Sequence, residues 1–303
     1  EQEVLYKAIE AYSGLVFAKE KLIINQINVN LLERQVETDQ ARLERGQITL
    51  ADLAQSESSL AGAQAKFIQA KNELVTFKLV YEKIIGPITN VDDLNKVSDI
   101  NLEIPNNLEE AINISKNNNP DLIIAKLDYD QSKKDVIIAK AELSPSATLS
   151  FNSSKTDDLS STLDEREKET ATATITWPLF KGGKNIASIN KSKKIKDRKK
   201  LLLNNAIRNN DTDVASAWSN LQLSKSLLDS VLLQVKAAEI ANEGITVEYE
   251  SGLGRSTLDI IQSYSLLLAS KISLAESERN YLLSEFKLLQ AVGNLRNSYL
   301  KLQ

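Results

Sequence analysis

The chain has 303 residues, a formal net charge of −4, and neither Cys nor His. That excludes thiol chemistry, disulfides, zinc sites of the usual kind and imidazole acid–base catalysis, and the mild charge argues against nucleic acid as a partner. No run of about 18 apolar residues exists, which excludes a membrane-spanning helix, but a tilted membrane strand needs only about 9–11 residues.

Residues 1–86 read as two long helices. Val4, Ala11, Ala18 and Leu32 are spaced in sevens, with Asn25 interrupting the row, beside a second row of Ala8, Leu15, Leu22, Val29 and Val36. A lone Asn on a seam either fixes register or marks a solvated stretch. Past Gly46 the seam resumes with Leu53, Leu60, Phe67, Leu74 and Tyr81, and with the smaller row Ser56, Ala63 and Ala70. Heptads of this kind predict coiled-coil packing, and small residues let backbones approach closely. At about 1.5 Å per residue, a 35-residue helix is roughly 50 Å long, too long for an ordinary globular core.

Residues 87–107 form a mixed linker. Helical periodicity returns over 108–146, breaking at Asn119-Pro120 and resuming with Asp121 as the expected cap. Strict alternation then marks two strands within 147–180: Ala147, Leu149 and Phe151 on one side of the first, and Ala171, Ala173, Ile175 and Trp177 on one side of the second. The opposite rows are Thr, Ser and Asn, and the charged stretch 156–167 is expected to be the loop between the strands. An apolar row backed by hydroxyls reads as a lipid-facing barrel strand, with Trp177 and Phe180 as interfacial anchors, or as a small soluble sheet on a helical stalk. Residues 181–303 return to heptads, with Val214, Leu221, Leu228 and Val235 leading to Gly252, then Ile260, Leu267, Leu274, Tyr281 and Leu288. The basic run at 191–200 lies on a predicted helix without interleaved aromatics and reads as a solvated face.

The two helical regions are copies. Ala11, Leu15, Leu22, Val29 and Gly46 recur as Ala217, Leu221, Leu228, Val235 and Gly252, 206 positions on. Asp52, Gln55, Ser56, Leu60 and Gly86 recur as Asp259, Gln262, Ser263, Leu267 and Gly293, 207 positions on. An internal repeat of this length fixes the fold class: mainly α, long antiparallel helical hairpins duplicated, with one β-hairpin. The helices alone also fit a purely structural coiled-coil scaffold, periplasmic or cytoplasmic, with no pore. The carboxylates are scattered and no phosphate-binding glycine loop exists, so no enzyme, cofactor or metal is expected.

From Trp177 through Pro178, Leu179, Phe180, Lys181, Gly182, Gly183 and Lys184, the chain resembles the TolC-like outer membrane efflux proteins, whose second barrel hairpin closes on such a signature. Leu108 to Ala111, Asn119-Pro120-Asp121-Leu122, the glycine turns before Asp52 and Asp259, and the terminal Gly86 and Gly293 follow in the family's order. The resemblance implies a homotrimeric duct across the outer membrane and periplasm of a Gram-negative bacterium, engaging outer membrane lipid, a periplasmic adaptor and an inner-membrane pump, for efflux or type I secretion. Family members carry a strand hairpin in both repeats, and with no Met in the chain the first copy's hairpin is expected upstream of Glu1.

By the same resemblance, Asp259 would face the lumen at the periplasmic constriction, as a ring of three whose like charges raise one another's pKa. Gln262 stands where some members place a second acid. Asp52, Tyr249 and Arg255 would form the latch that holds the tips closed. Gly46, Gln47, Ile48, Thr49, Leu50, Gly252, Leu253, Gly254, Ser256 and Thr257 would dock the adaptor. Helix capping by Asp52 and Asp259, and a mobile surface ion pair at Arg255, are the competing structural readings.

Overall fold

A computed structural model describes residues 1–96, 102–160, 163–252 and 254–297. In chain order these hold α1 (Gln2–Glu44), α2 (Leu50–Ile84), a 3-10 turn (Val91–Asp93), α3 (Leu108–Asn118), α4 (Pro120–Ala141), β1 (Ser146–Ser160), β2 (Leu163–Thr176), α5 (Lys184–Glu250) and α6 (Thr257–Ala291). The chain is mainly α, with one antiparallel hairpin among the described residues. No described helix is long and apolar enough to cross a membrane. Two compact units divide the chain, 1–119 with 211–303, and 120–210.

In the first unit α1 packs against α2 and α6. The small-residue row is the one most deeply buried: Ser56, Ala63 and Ala70 of α2 are closed off, as are Ala11, Leu15 and Ala18 of α1. Close approach explains Gly14, because a Cβ there would lie 2.8 Å from the Phe77 ring. Asn25 sits inside the seam, 5% exposed, and donates Nδ2–H to the Lys21 carbonyl at 2.7 Å. The seam is therefore closed over that side chain, and the amide bonds back to its own helix. Fully buried Leu15, Leu288 and Leu289 each contribute about 2 kcal/mol relative to exposure.

Two apolar clusters close the end of this unit away from the tips. One joins Ala111 of α3, Val214, Ala217 and Leu221 of α5, and Leu288 with Val292. The other joins Ile9, Phe286, Leu289 and Leu295. The last turn of α6 is pinned there by Asn119, which donates Nδ2–H to the Ala291 carbonyl at 3.0 Å.

In the second unit α4 starts at Pro120. Proline suits a first helical turn, where its missing N–H is not needed. Asp121 therefore lies within the first turn and is not the expected cap. Lys199 of α5 pairs with Asp128 of α4 at 2.5 Å.

The hairpin is longer than the alternation predicts. Its register runs from Ser146↔Thr176 to Asp157↔Glu165, with a shift before Ser160↔Leu163. Residues 156–167 are thus mostly strand, not loop. Hydrophobic alternation stops near Phe151 because the outer rungs carry charge on both faces. Backbone pairing continues regardless, aided by cross-strand pairs such as Lys155 with Glu167 at 3.9 Å. Leu149, Phe151 and Ile175 stand exposed on one face at 65%, 78% and 77%.

Candidate functional site: the paired helix tips

Each helical hairpin turns through a glycine with positive φ, Gly46 at +71° and Gly252 at +70°. Each new helix then opens on a reciprocal cap. Asp52 accepts the Thr49 backbone N–H at 2.9 Å and its hydroxyl at 2.7 Å, and the Thr49 oxygen accepts the Asp52 N–H at 3.3 Å. Asp259 accepts the Ser256 N–H at 2.9 Å and its hydroxyl at 2.8 Å, and Ser256 returns the bond at 3.3 Å. These bonds hold both carboxyls below the usual carboxylate range, Asp259 being lowered further by the Arg255 charge. The second turn is one residue longer. The extra length accommodates a second left-handed glycine, Gly254 at +84°, and accounts for the change in repeat offset.

Beneath the turns lies a buried polar clamp drawn from four helices. Asp39 of α1 is wholly buried. One of its oxygens accepts the Ser56 hydroxyl of α2 at 2.5 Å. The other accepts Gln35 Nε2–H at 3.0 Å, the Tyr249 hydroxyl of α5 at 2.9 Å and the Thr257 hydroxyl of α6 at 3.4 Å. Gln35 also donates to the Tyr249 oxygen at 2.9 Å. The Arg42 guanidinium lies 4.3 Å over the Tyr249 ring. Burial pushes the Tyr249 phenol above its ordinary value, with the Asp39 carboxylate adding to the rise and the Thr257 bond opposing it. Apolar neighbours Val29, Leu32, Ala63, Ile260 and Ile261 seal the cluster. One heptad before Tyr249, Asn242 donates to Ser263 at 2.9 Å, joining α5 to α6.

The expected latch of Asp52, Tyr249 and Arg255 does not come together within the chain. Asp52 is committed to capping α2. Arg255 donates Nε–H to Glu248 at 2.5 Å on the exposed surface, and this partner raises its pKa. Tyr249 finds Asp39 instead. The signal for Asp39 was in the sequence: it falls one heptad after Leu32 in the Asn25 row. A charged residue reads there as the end of the seam, because nothing local announces its partners on α2, α5 and α6.

The other expected residues divide. Gly46, Gln47, Gly252 and Gly254 are exposed, Ile48 is half-buried and Leu50 is 72% exposed. Thr49 and Ser256 spend their hydroxyls on the caps. Thr257 is 4% exposed, so it belongs to the clamp and presents no docking surface. Leu253 lies outside the described residues. Asp259 is partly exposed and Gln262 exposed. Trp177 and Phe180 stand out at 62% and 87%. No group of three or more potential acidic metal ligands gathers among the described residues.

Long helices paired twice over, with a strand hairpin that exposes one apolar face, define the class of helical-barrel wall proteins with outer-membrane strands. The outer membrane efflux protein model matches residues 111–294, and the chain belongs to that family. It is 25% identical to the outer membrane efflux protein BepC of Brucella suis, over 100% of this chain and 66% of that protein. It is 21% identical to the alkaline protease secretion protein AprF of Pseudomonas aeruginosa, over 99% and 63%. The open state of the Neisseria gonorrhoeae MtrE outer membrane channel superposes with a TM-score of 0.79 at 18% identity, covering 97% of this chain and 67% of that one. The chain thus spans about two thirds of the length of these relatives. Membership places it in the outer membrane and adjoining periplasm of a Gram-negative bacterium.

Proposed function

We propose that the chain is the wall of a homotrimeric exit duct, a passive conduit for efflux or type I secretion whose helix tips open when a periplasmic adaptor and an inner-membrane pump engage them. The observation that supports this best is the clamp, which ties both helical hairpins together one turn beneath their tips. A wall with no moving part has no need to bury a carboxylate where four helix ends meet, and such a group is costly unless fully bonded. In this reading Asp39, Tyr249, Thr257 and Ser56 hold the tips shut. Gly46, Gln47, Ile48 and Leu50, with Gly252 and Gly254, meet the adaptor. Asp259 rings the constriction with Gln262 beside it, and Trp177 and Phe180 sit at the lipid interface.

The test is conductance of the full-length protein in planar bilayers. Wild type is expected to give small, closed-state currents, and Asp39→Asn or Tyr249→Phe larger ones. A protein that stays monomeric in detergent, or that conducts nothing even with Asp39 replaced, overturns the duct and returns the chain to a structural scaffold.

A further inference from the structure

The hairpin outruns the membrane. A tilted membrane strand takes about 9–11 residues, whereas β1 has 15 and β2 has 14. The apolar row ends at the rung Phe151↔Ala171. Beyond it, that same row carries Ser153 and Glu169, then Lys155 and Glu167, groups that do not face hydrocarbon without cost. The outer rungs therefore stand past the lipid, at the end of the hairpin away from α4 and α5 in the chain.

Strand alternation carries the two faces outward unchanged. The lipid-side row continues as Ser153, Glu169, Lys155 and Glu167, holding two carboxylates and a lysine paired with one of them. The opposite row consists of Thr148, Thr174, Ser150, Thr172, Asn152 and Thr170 through the membrane, and continues as Ser154, Lys168, Thr156 and Arg166. On these rungs the inner face has two cations and no carboxylate. The sorting is by face, since the acids and bases alternate along β2 itself.

We infer that Lys168 and Arg166 line the outer mouth of the duct and make it an anion-attracting collar, repeated by each protomer, that favours anionic cargo in the last step of exit. The inference rests on the duct reading above. The collar is opposite in sign to the proposed Asp259 ring, so the two select differently. Rings of fixed charge at a pore mouth set ion selectivity through local concentration, and salt screens the effect over about 10 Å at 0.1 M.

The experiment measures reversal potential for the full-length protein in planar bilayers under a potassium chloride gradient. Reversing the inner row with Lys168→Glu and Arg166→Glu is expected to shift the reversal potential towards cation preference, more at low salt than at high. Reversing the outer row with Glu167→Lys and Glu169→Lys is expected to leave it in place. Because the chain has no cysteine, adjacent conservative variants test the same faces: a negatively charged thiol reagent should change the current through Ser154→Cys and not through Ser153→Cys. Conducting channels whose reversal potential ignores the inner row, or responds equally to both rows, overturn the collar alone. Absence of any conductance from wild type and from tip-loosened variants overturns the duct, and the collar with it.

Discussion

The two tips are copies that have kept the same caps and lost the same interior. Thr49 with Asp52 and Ser256 with Asp259 close almost superimposable capping boxes. Underneath, no clamp residue except Ser56 has a like counterpart. At the repeat offsets of 206 and 207, Asp39 corresponds to Ile245 and Gln35 to Ala241, while Tyr249 and Thr257 correspond to Leu43 and Leu50. The first copy supplies the carboxylate, and the second supplies two of the three hydroxyls that donate to it, those of Tyr249 and Thr257. Duplication alone would put Ile against Leu, a contact without direction. Divergence has instead made each tip incomplete without the other.

The deepest way to break that complementarity is Asp39→Ala. It removes the acceptor shared by Ser56, Gln35, Tyr249 and Thr257. Ser56 is left only the Asp52 carbonyl, and Gln35, Tyr249 and Thr257 only one another. An incompletely satisfied buried polar group costs about 1–3 kcal/mol. The expected loss is about 3 kcal/mol, read as a lower urea midpoint with an unchanged slope. Amide exchange at the tips of both hairpins should accelerate together. Loosening confined to the first hairpin would mean that the clamp does not join the copies.

A second pair of equivalent positions, Gly86 and Gly293, compares the far ends. Both have positive φ, +131° and +77°. Alanine at Gly86 meets nothing within 4 Å, whereas at Gly293 its Cβ lies 2.7 Å from Asn119 Cα and closer still to the Asn118 carbonyl. Backbone strain of about 1 kcal/mol applies at both, and overlap with rigid backbone adds about 1–2 kcal/mol at Gly293 only. Thermal unfolding of the two alanine variants should therefore rank Gly293→Ala below Gly86→Ala. Tyr249→Phe comes next, at about 1.5 kcal/mol, since it removes one donor to a charged acceptor while the ring keeps its packing.

Much of this architecture was legible because it repeats. Rows such as Ser56, Ala63 and Ala70, with their counterparts in α6, announce a seam by spacing alone. The exposed strand face was legible as far as hydrophobicity alternates, from Ala147 to Phe151 and from Ala171 to Trp177. Beyond Phe151 pairing is maintained by the backbone and by charge across the rungs, which leaves no apolar signature, so the segment 156–167 read as loop. The clamp was hidden for a different reason. Tyr249 stood out, but its partner lies 210 positions away, and the nearer acid, Asp52, fitted the family pattern better than the geometry. Pairings across helices are set by how the helices lie together, which a linear spacing does not encode.

The smallest effect sharpens the comparison most, because it asks whether two identical caps have different jobs. Thr49→Ala and Ser256→Ala should each cost about 1 kcal/mol. Both carboxyls are held below 3.8, their ordinary value, by bonds from the cap residue. A depressed folded pKa adds stability that is fully present above the unfolded value and is lost as pH falls through the folded one. Within one chain the two caps should therefore weaken together in acid, below about pH 4. A three-fold constriction changes this for Asp259 alone, because three like charges facing one lumen raise one another's pKa while Asp52 stays low. Carboxyl chemical shifts followed through an acid titration of the assembled protein separate the cases. A midpoint for Asp259 above that for Asp52 marks the ring. Equal, depressed midpoints mean that Asp259 does no more than begin a helix, and the gate then rests on Asp39 and its partners.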